Sequence, residues 1–521
     1  MAKRSLAGSV STVMVIMVLS RLLALVSTQV YISVFGTVGD INIYSYAISI
    51  PNTIFNCFGT ALSTVVIPLY AGHLANGEDD EAARFANNII TISTVFTAVL
   101  VLLGMAAAFV LPLTTQFNAG DDYRFAVKAL MIMMPVMLFT GLNYIFQGIL
   151  QSRGRYGWPA FVSVPSSLIV IAYVFLLSDR YGVTGLLIAT FLGLSTQALI
   201  LIPPLIAAGF RYKPSFDLRD PDIRKAAKMT VPVLIGVSAY QLNMFYNTTM
   251  IAGFENMTTL LTYVQNLVLY MVLAFVYSVT AVLYPKLTES YAAGREEEYK
   301  QTLSSTLSSV FALLVPVTFG LMAVREPLLD LIAGWGRFTA EDVRKAALIM
   351  LLYAIGILGI GAKEILDRAF YACGDTMTPA ICGFIIMFVN ISLSLILMRF
   401  MGPYGIPLAY SAASLVGLAA LLFLLRRKVG VFAPGLGTDT GKCFLAGIVM
   451  FLAVWGTGLL TNRVFAGDAL LHKIVRLGLP VLIGVTVYAL AALLLGIGAA
   501  KAVAGAVGRR LGRGKKEGIE E

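Results

Sequence analysis

Fourteen runs of about 20 apolar residues, each long enough to cross a hydrocarbon layer about 30 Å thick, are spaced along the 521-residue chain. They lie near 7–35, 40–72, 85–112, 124–150, 157–178, 182–208, 226–252, 257–288, 302–323, 343–371, 377–399, 404–425, 443–462 and 474–500. Runs of this length predict an all-α polytopic membrane protein of fourteen transmembrane helices. Composition agrees: 58% of residues are hydrophobic and only 13% charged, where soluble domains carry roughly a quarter. Lys3 and Arg4 precede the first run as in a secretion signal, but the run continues past Val26 without a small-residue cleavage site, so it reads as a retained helix.

The same inventory excludes most catalysis. His73 and His472 are the only histidines and fall in different loops, and the four cysteines show no C-x-x-C spacing, so no nucleophilic triad and no metal site is expected. Gly435 to Cys443 reads GLGTDTGKC but places Leu436 and Cys443 where a phosphate-binding loop needs Gly and Ser or Thr. No nucleotide cofactor and no nucleic-acid partner follow from any motif. Active transport would then draw on a monovalent cation gradient (Na+ or H+) or on the membrane potential.

An even number of crossings puts both termini on one side. Loops on that side hold 25 Lys and Arg, those opposite hold 11, and two further cations, Arg21 and Lys363, fall inside helices. The excess of cations faces the cytoplasm, which predicts cytoplasmic termini and a basic cytoplasmic tail over 501–521.

An internal duplication is also visible. A displacement of 217 sets Tyr46 on Tyr263, Val65 on Val282, Pro68 on Pro285 and Gly77 on Gly294; at 220, Gly154 and Pro159-Ala160 fall on Gly374 and Pro379-Ala380; at 223, Tyr181-Gly182 fall on Tyr404-Gly405. Six crossings separate the copies, so the halves share one orientation, a parallel repeat. The expected organisation is a lobe over 1–210 with helices 1–6, a second over 211–430 with helices 7–12, and an appended pair over 431–500.

Polar residues mark candidate binding surfaces. Asn42, Ser45, Ser49, Asn52, Asn56, Gly59 and Ser63 recur every three or four residues and share one helix face. That stripe is either a helix seam or the wall of a water-lined cavity. The second copy keeps Thr259, Thr262 and Asn266 with Gln265 beside them, and helix 7 adds Tyr240, Asn243 and Asn247. Arg21 sits about 20 Å from either end of its helix at 1.5 Å per residue. Burying it costs at least about 2.5–3.5 kcal/mol, so it must face protein or water: it either ties helix carbonyls or offers its planar fork to an anion. Lys363 with Asp367 and Glu364 with Arg368 form i,i+4 pairs. Together with Asn390 they are candidates for gating or ion coupling, self-neutralisation near a helix end being the plainer account of the pairs.

Ser20-Arg21, Phe35-Gly36, Pro51-Asn52, Ile67-Pro68-Leu69, Tyr284-Pro285 and Phe370-Tyr371 before Asp375 and Thr378-Pro379 together resemble the MurJ/MviN family, over essentially the whole chain. The resemblance implies a member of the multidrug/oligosaccharidyl-lipid/polysaccharide exporter superfamily, in the bacterial plasma (inner) membrane, that flips lipid II from the inner to the outer leaflet for cell-wall synthesis. It implies a cationic cavity whose arginines contact the diphosphate, Arg21 matching the first. It further implies that the appended pair forms a groove for the prenyl tail, and that other cell-wall synthesis proteins are partners. This chain departs from the family where Ser27, Phe55-Asn56 and Gln265-Asn266 replace charged positions, leaving Arg21, amides and Lys363 to hold a diphosphate. Another polyprenyl-linked saccharide is the alternative cargo, and a drug/cation antiporter the alternative class.

Overall fold

In a computed structural model the described residues are 6–254, 257–430, 435–465, 467, 469–498 and 500–501, and among them only helices and loops occur. The basic tail beyond Lys501 lies outside the described residues. Seven apolar helical stretches suffice to cross a membrane, and Ala340–Ala354 with Ile357–Ala372, bent by 41°, make an eighth. Two of the seven, Gly157–Ala207 and Met377–Val429, run to 51 and 53 residues, more than twice what a 30 Å layer needs at 1.5 Å per residue. Each is therefore a helical hairpin, and glycine makes the reversal.

Gly182 (φ 55°, ψ −147°) and Gly402 (φ 57°, ψ −138°) turn the chain in a region closed to residues with a Cβ. In the first hairpin the Tyr173 hydroxyl donates to the Gly182 carbonyl at 2.6 Å, and Gln197 donates to the Ser166 hydroxyl at 3.0 Å. In the second, Met377–Met401 packs along Gly405–Val429. With the arms counted separately, the described residues contain fourteen helices of crossing length, consistent with the fourteen expected runs.

The duplication reappears in the backbone. Helices Asp40–Ala75 and Thr258–Ala292 follow one another at the expected 217 residues, and breaks after Met133 and Ala354 recur near 220. One detail is corrected: the counterpart of Gly182 is Gly402 and not Gly405, because a short 3-10 turn, Gly402–Tyr404, has been inserted after the reversal. The second break is sealed by hydroxyls, Ser411 donating to the Leu352 carbonyl (2.6 Å) and Ser414 to that of Gly356 (3.1 Å). Carbonyls freed by a break in an apolar helix need such donors.

The chain divides into two compact units. The first comprises 1–263 with 335–339 and holds two apolar clusters. One gathers Ile41, Tyr46, Phe55, Leu130 and Leu186; the other gathers Val65, Tyr70, Phe85, Ile149 and Ile223. This unit extends past residue 210 and includes Pro221–Ile251, which packs on Asp40–Ala75. The second unit comprises 264–334 and 340–521; in it Leu436–Val464 and Leu470–Leu494 pack on each other and on Glu296–Ile332, around Val324, Met450 and Val454. The GLGTDTGKC segment opens that first appended helix, with Gly435 left-handed (φ 105°) just before it, so its residues coil as helix and form no phosphate cradle.

Candidate functional site

Helix Leu6–Phe35 presents three different faces. Ser20 and Ser27 are buried, Ser20 donating to the Ala160 carbonyl at 3.0 Å, so this face is a packing seam. Leu19, Leu22 and Val26 are exposed and apolar, the face suited to lipid. At about 100° per residue, Arg21 projects about 130° from that apolar stripe and about 110° from the serine seam. It is exposed, and Thr28 and Ala24 share its side. The guanidinium is thus held away from both of these faces.

The polar stripe of Asp40–Ala75 divides in two. Its first turns are a junction: the Asn42 amide donates to the Thr37 carbonyl (2.8 Å) while its oxygen accepts from the Thr259 backbone N–H (3.0 Å), and the Ser45 and Thr259 hydroxyls meet at 3.1 Å. Asn42 thus caps the first turn of Thr258–Ala292 from another helix. Asn42 is 1% exposed, and its amide oxygen and nitrogen are both used, so it belongs to the seam and not to a cavity wall. Ser49 turns back on the Tyr46 carbonyl at 2.8 Å. Further along, Asn52 and Asn56 are half-buried, Asn56 accepting from the Tyr144 hydroxyl at 3.1 Å; the side chain of Ser63 lies outside the described residues. Asn42→Ala is expected to cost about 1–2 kcal/mol, a lost helix cap, and to lower the melting temperature without abolishing transport. An unchanged melting curve would contradict the capping role.

Asn243 and Asn247 also lie in the first unit, both buried, bonded one to the other at 3.2 Å across one helical turn, while Tyr240 beside them is exposed. Arg21, Asn42, Ser49, Asn52, Asn56, Asn243 and Asn247 therefore fall in one unit. Gln265, Asn266, Lys363, Glu364, Asp367, Arg368 and Asn390 fall in the other. Gln265 is buried and Asn266 exposed.

In that second unit Lys363 and buried Asp367 form the expected i,i+4 ion pair. The matching Glu364–Arg368 pair does not form among the described residues; Arg368 lies instead over the Tyr371 ring, 5.8 Å from its centroid, a cation–π contact that competes for the same guanidinium. Asn390 is fully buried, and Ser394, one turn on, is buried too. Among the described residues no group of three or more His, Cys, Asp or Glu could hold a metal ion.

Sequence reading missed two polar clusters. Lys473, 7% exposed, donates to the Asp330 carboxylate (2.8 Å) and to the carbonyls of Gly334 (2.8 Å) and Asp330 (3.3 Å), with Arg476 3.4 Å from the same carboxylate. These residues looked like ordinary loop charges because their partners are more than 130 positions apart. The second cluster ties the end of Asp40–Ala75 to the start of Pro221–Ile251: His73 lies 2.8 Å from Glu78 and 3.1 Å from Asp222. The Glu78 hydrogen bond raises the His73 pKa above its ordinary value, burial opposes this and Asp222 adds to it. A raised folded pKa gives stability that is complete below the ordinary value of about 6.5 and is lost as pH rises through the raised one. His73→Gln should accordingly lower the melting temperature more at pH 6 than at pH 9; an equal loss at both would refute the ionic contribution.

Apolar helical hairpins, a duplicated six-helix plan and a guanidinium partway along a crossing helix define a multi-pass helical membrane protein. The fold is similar to that of a solved lipid II flippase MurJ in an inward closed conformation (TM-score 0.79, 23% identity, 92% of this chain and 97% of that one). It also resembles an inward-facing multidrug resistance MATE family transporter of the MOP superfamily (TM-score 0.66, 13% identity, 78% and 94%). Residues 31–494 match the family model described as lipid II flippase MurJ, and the chain belongs to that family. Relatives include probable lipid II flippases MurJ of Thermotoga maritima, 27% identical over 95% of this chain and 97% of theirs, and of Vibrio cholerae, 27% identical over 77% and 79%.

Proposed function

We propose that this protein flips lipid II, the undecaprenyl-diphosphate-linked peptidoglycan precursor, from the cytoplasmic to the outer leaflet of the bacterial plasma membrane by alternating access. The observation that carries the reading is Arg21, an exposed guanidinium away from the lipid-facing stripe of its helix, in a chain that belongs to the MurJ family. A planar guanidinium suits a diphosphate because it offers paired N–H donors to phosphate oxygens. Half-buried Asn52 and Asn56 supply further polar surface in the same unit.

Both termini are cytoplasmic in this reading, which the excess of basic residues on their side supports. The appended pair Leu436–Val464 and Leu470–Leu494, whose outward residues include Leu452, Leu460, Leu482 and Leu494, provides an apolar surface for the prenyl tail. Resetting is driven by a monovalent cation or by the membrane potential, with the Lys363–Asp367 pair and buried Asn390 in the second unit as the coupling region, and other cell-wall synthesis proteins are partners. Expression of the full chain in cells depleted of their own lipid II flippase should restore growth and cell shape. Continued lysis despite normal membrane insertion would overturn the assignment.

A further inference from the structure

The linker that leads into Pro221–Ile251 is built like a lipid-headgroup site. Asn87, Asn88 and Thr91 of helix Asp79–Ala107 hold it extended: Lys213 N–H donates to the Asn87 oxygen (2.9 Å), Ser215 N–H to the Thr91 hydroxyl (3.3 Å) and Asp217 N–H to the Asn88 oxygen (2.8 Å). The Asn88 amide returns a bond to the Asp217 carbonyl at 2.8 Å. Phe216 and Leu218 of this segment stand 57% and 56% exposed.

Immediately beyond, Arg219, Arg224, Lys225, Lys228, Pro221 and Met229 line a solvent-open cavity of about 390 Å³. Ile223 and Ala226 bury the other side of the helix, so Arg224, Lys225 and Lys228 converge on the outer face at i, i+1 and i+4. The acids nearby are already engaged. Asp220 caps the helix by accepting from Asp222 N–H and meets Arg84, Asp222 meets His73, and Asp217 accepts from Arg219 N–H. Among the described residues none of the four cavity cations forms an ion pair, whereas Arg84 and Arg153 of the same unit do.

We propose that this cavity binds the phosphate of an anionic phospholipid, with Phe216 and Leu218 seated against the start of its acyl chains. The exposed apolar pair favours a lipid over a soluble anion, because apolar side chains beside cations gain only where headgroup meets hydrocarbon. Membrane-surface cations attract anionic lipid by roughly a factor of five each. The proposal rests on the cytoplasmic placement of the linker given above and not on the cargo, so lipid binding and growth rescue fail independently.

The test uses the purified full chain, stripped of lipid in detergent and titrated with phosphatidylglycerol or phosphatidylcholine under native mass spectrometry. Wild type should prefer phosphatidylglycerol at least tenfold. Arg224→Gln/Lys225→Gln/Lys228→Gln should weaken that binding on the order of a hundredfold, and Phe216→Ser/Leu218→Ser about tenfold. Arg426→Gln/Arg427→Gln, which removes cations elsewhere, should leave it unchanged. Equal binding of the two lipids by wild type, an unaffected triple variant, or an equal loss in the Arg426/Arg427 control would overturn the site. So would displacement by excess inorganic phosphate alone, which would mark a soluble-anion pocket. If the triple variant aggregates, the exposed single changes Lys225→Gln and Lys228→Gln carry the same test at about fivefold apiece.

Discussion

Arg21→Ala is expected to abolish rescue of flippase-depleted cells while the protein still inserts at normal abundance. The helix around Arg21 holds itself in place without the guanidinium: Ser20 is bonded to the Ala160 carbonyl and Leu19, Leu22 and Val26 form an unbroken apolar stripe. Removing a cation from such a helix lowers its insertion cost by about 2.5–3.5 kcal/mol, so loss of function cannot be ascribed to failed insertion. A charge-assisted bond to phosphate contributes about 1.5–3 kcal/mol, a tenfold or greater loss of capture. Arg21→Lys should keep the charge but not the paired donors and should rescue partially. Complementation by Arg21→Ala at wild-type level would remove Arg21 from the binding surface.

Asp330→Ala is expected to produce the largest loss of stability. The Asp330 carboxylate receives Lys473 on one oxygen and lies 3.4 Å from Arg476 on the other. Removing it takes the carboxylate from two cations, of which Lys473 is almost wholly buried and keeps only neutral carbonyls such as that of Gly334, while Arg476 keeps that of Gly467. Breaking a buried pair on one side costs about 3–5 kcal/mol, and here the pair joins Leu470–Leu494 to the end of Glu296–Ile332, so the appended helices should loosen first. Lys473→Met should cost less, because Arg476 still faces the carboxylate. The pair Asp330→Leu with Lys473→Met should recover part of the loss, since two apolar groups replace a broken ion pair. Thermal unfolding in detergent reads all three; melting temperatures within a degree or two of wild type would show that packing around Met450 and Val454 alone holds these helices.

Much of this architecture was legible because membrane crossing is a local property. Twenty apolar residues report a helix without reference to any partner, and the duplication shows as repeated turn residues such as Gly154 and Gly374, both with φ of 72°. The repeat alignment at this hairpin was three residues off because Tyr404-Gly405 looks like Tyr181-Gly182, while the counterpart of Gly182 at the reversal is Gly402. Periodicity likewise grouped the Asp40–Ala75 stripe as one surface. Its members separate only when partners are known, because Asn42 is consumed by Thr37 and Thr259, and Thr259 is 217 positions away.

By itself the sequence determined the class of molecule, its long apolar helices, the twofold repeat and the presence of a guanidinium too deep to reach an interface easily. Each follows from short-range chemistry: hydropathy over one helix length, glycine at a reversal, the cost of one charge in hydrocarbon. Tertiary structure alone decided which polar residues are spent inside the fold and which reach the surface. Asn42, Ser45 and Lys473 satisfy buried partners far along the chain, whereas Arg21 is exposed on its helix and the four cations around Pro221 converge on one cavity. Hydrogen bonds and ion pairs saturate when a second group arrives within about 3 Å, and that arrival depends on packing between distant helices, which no local pattern encodes.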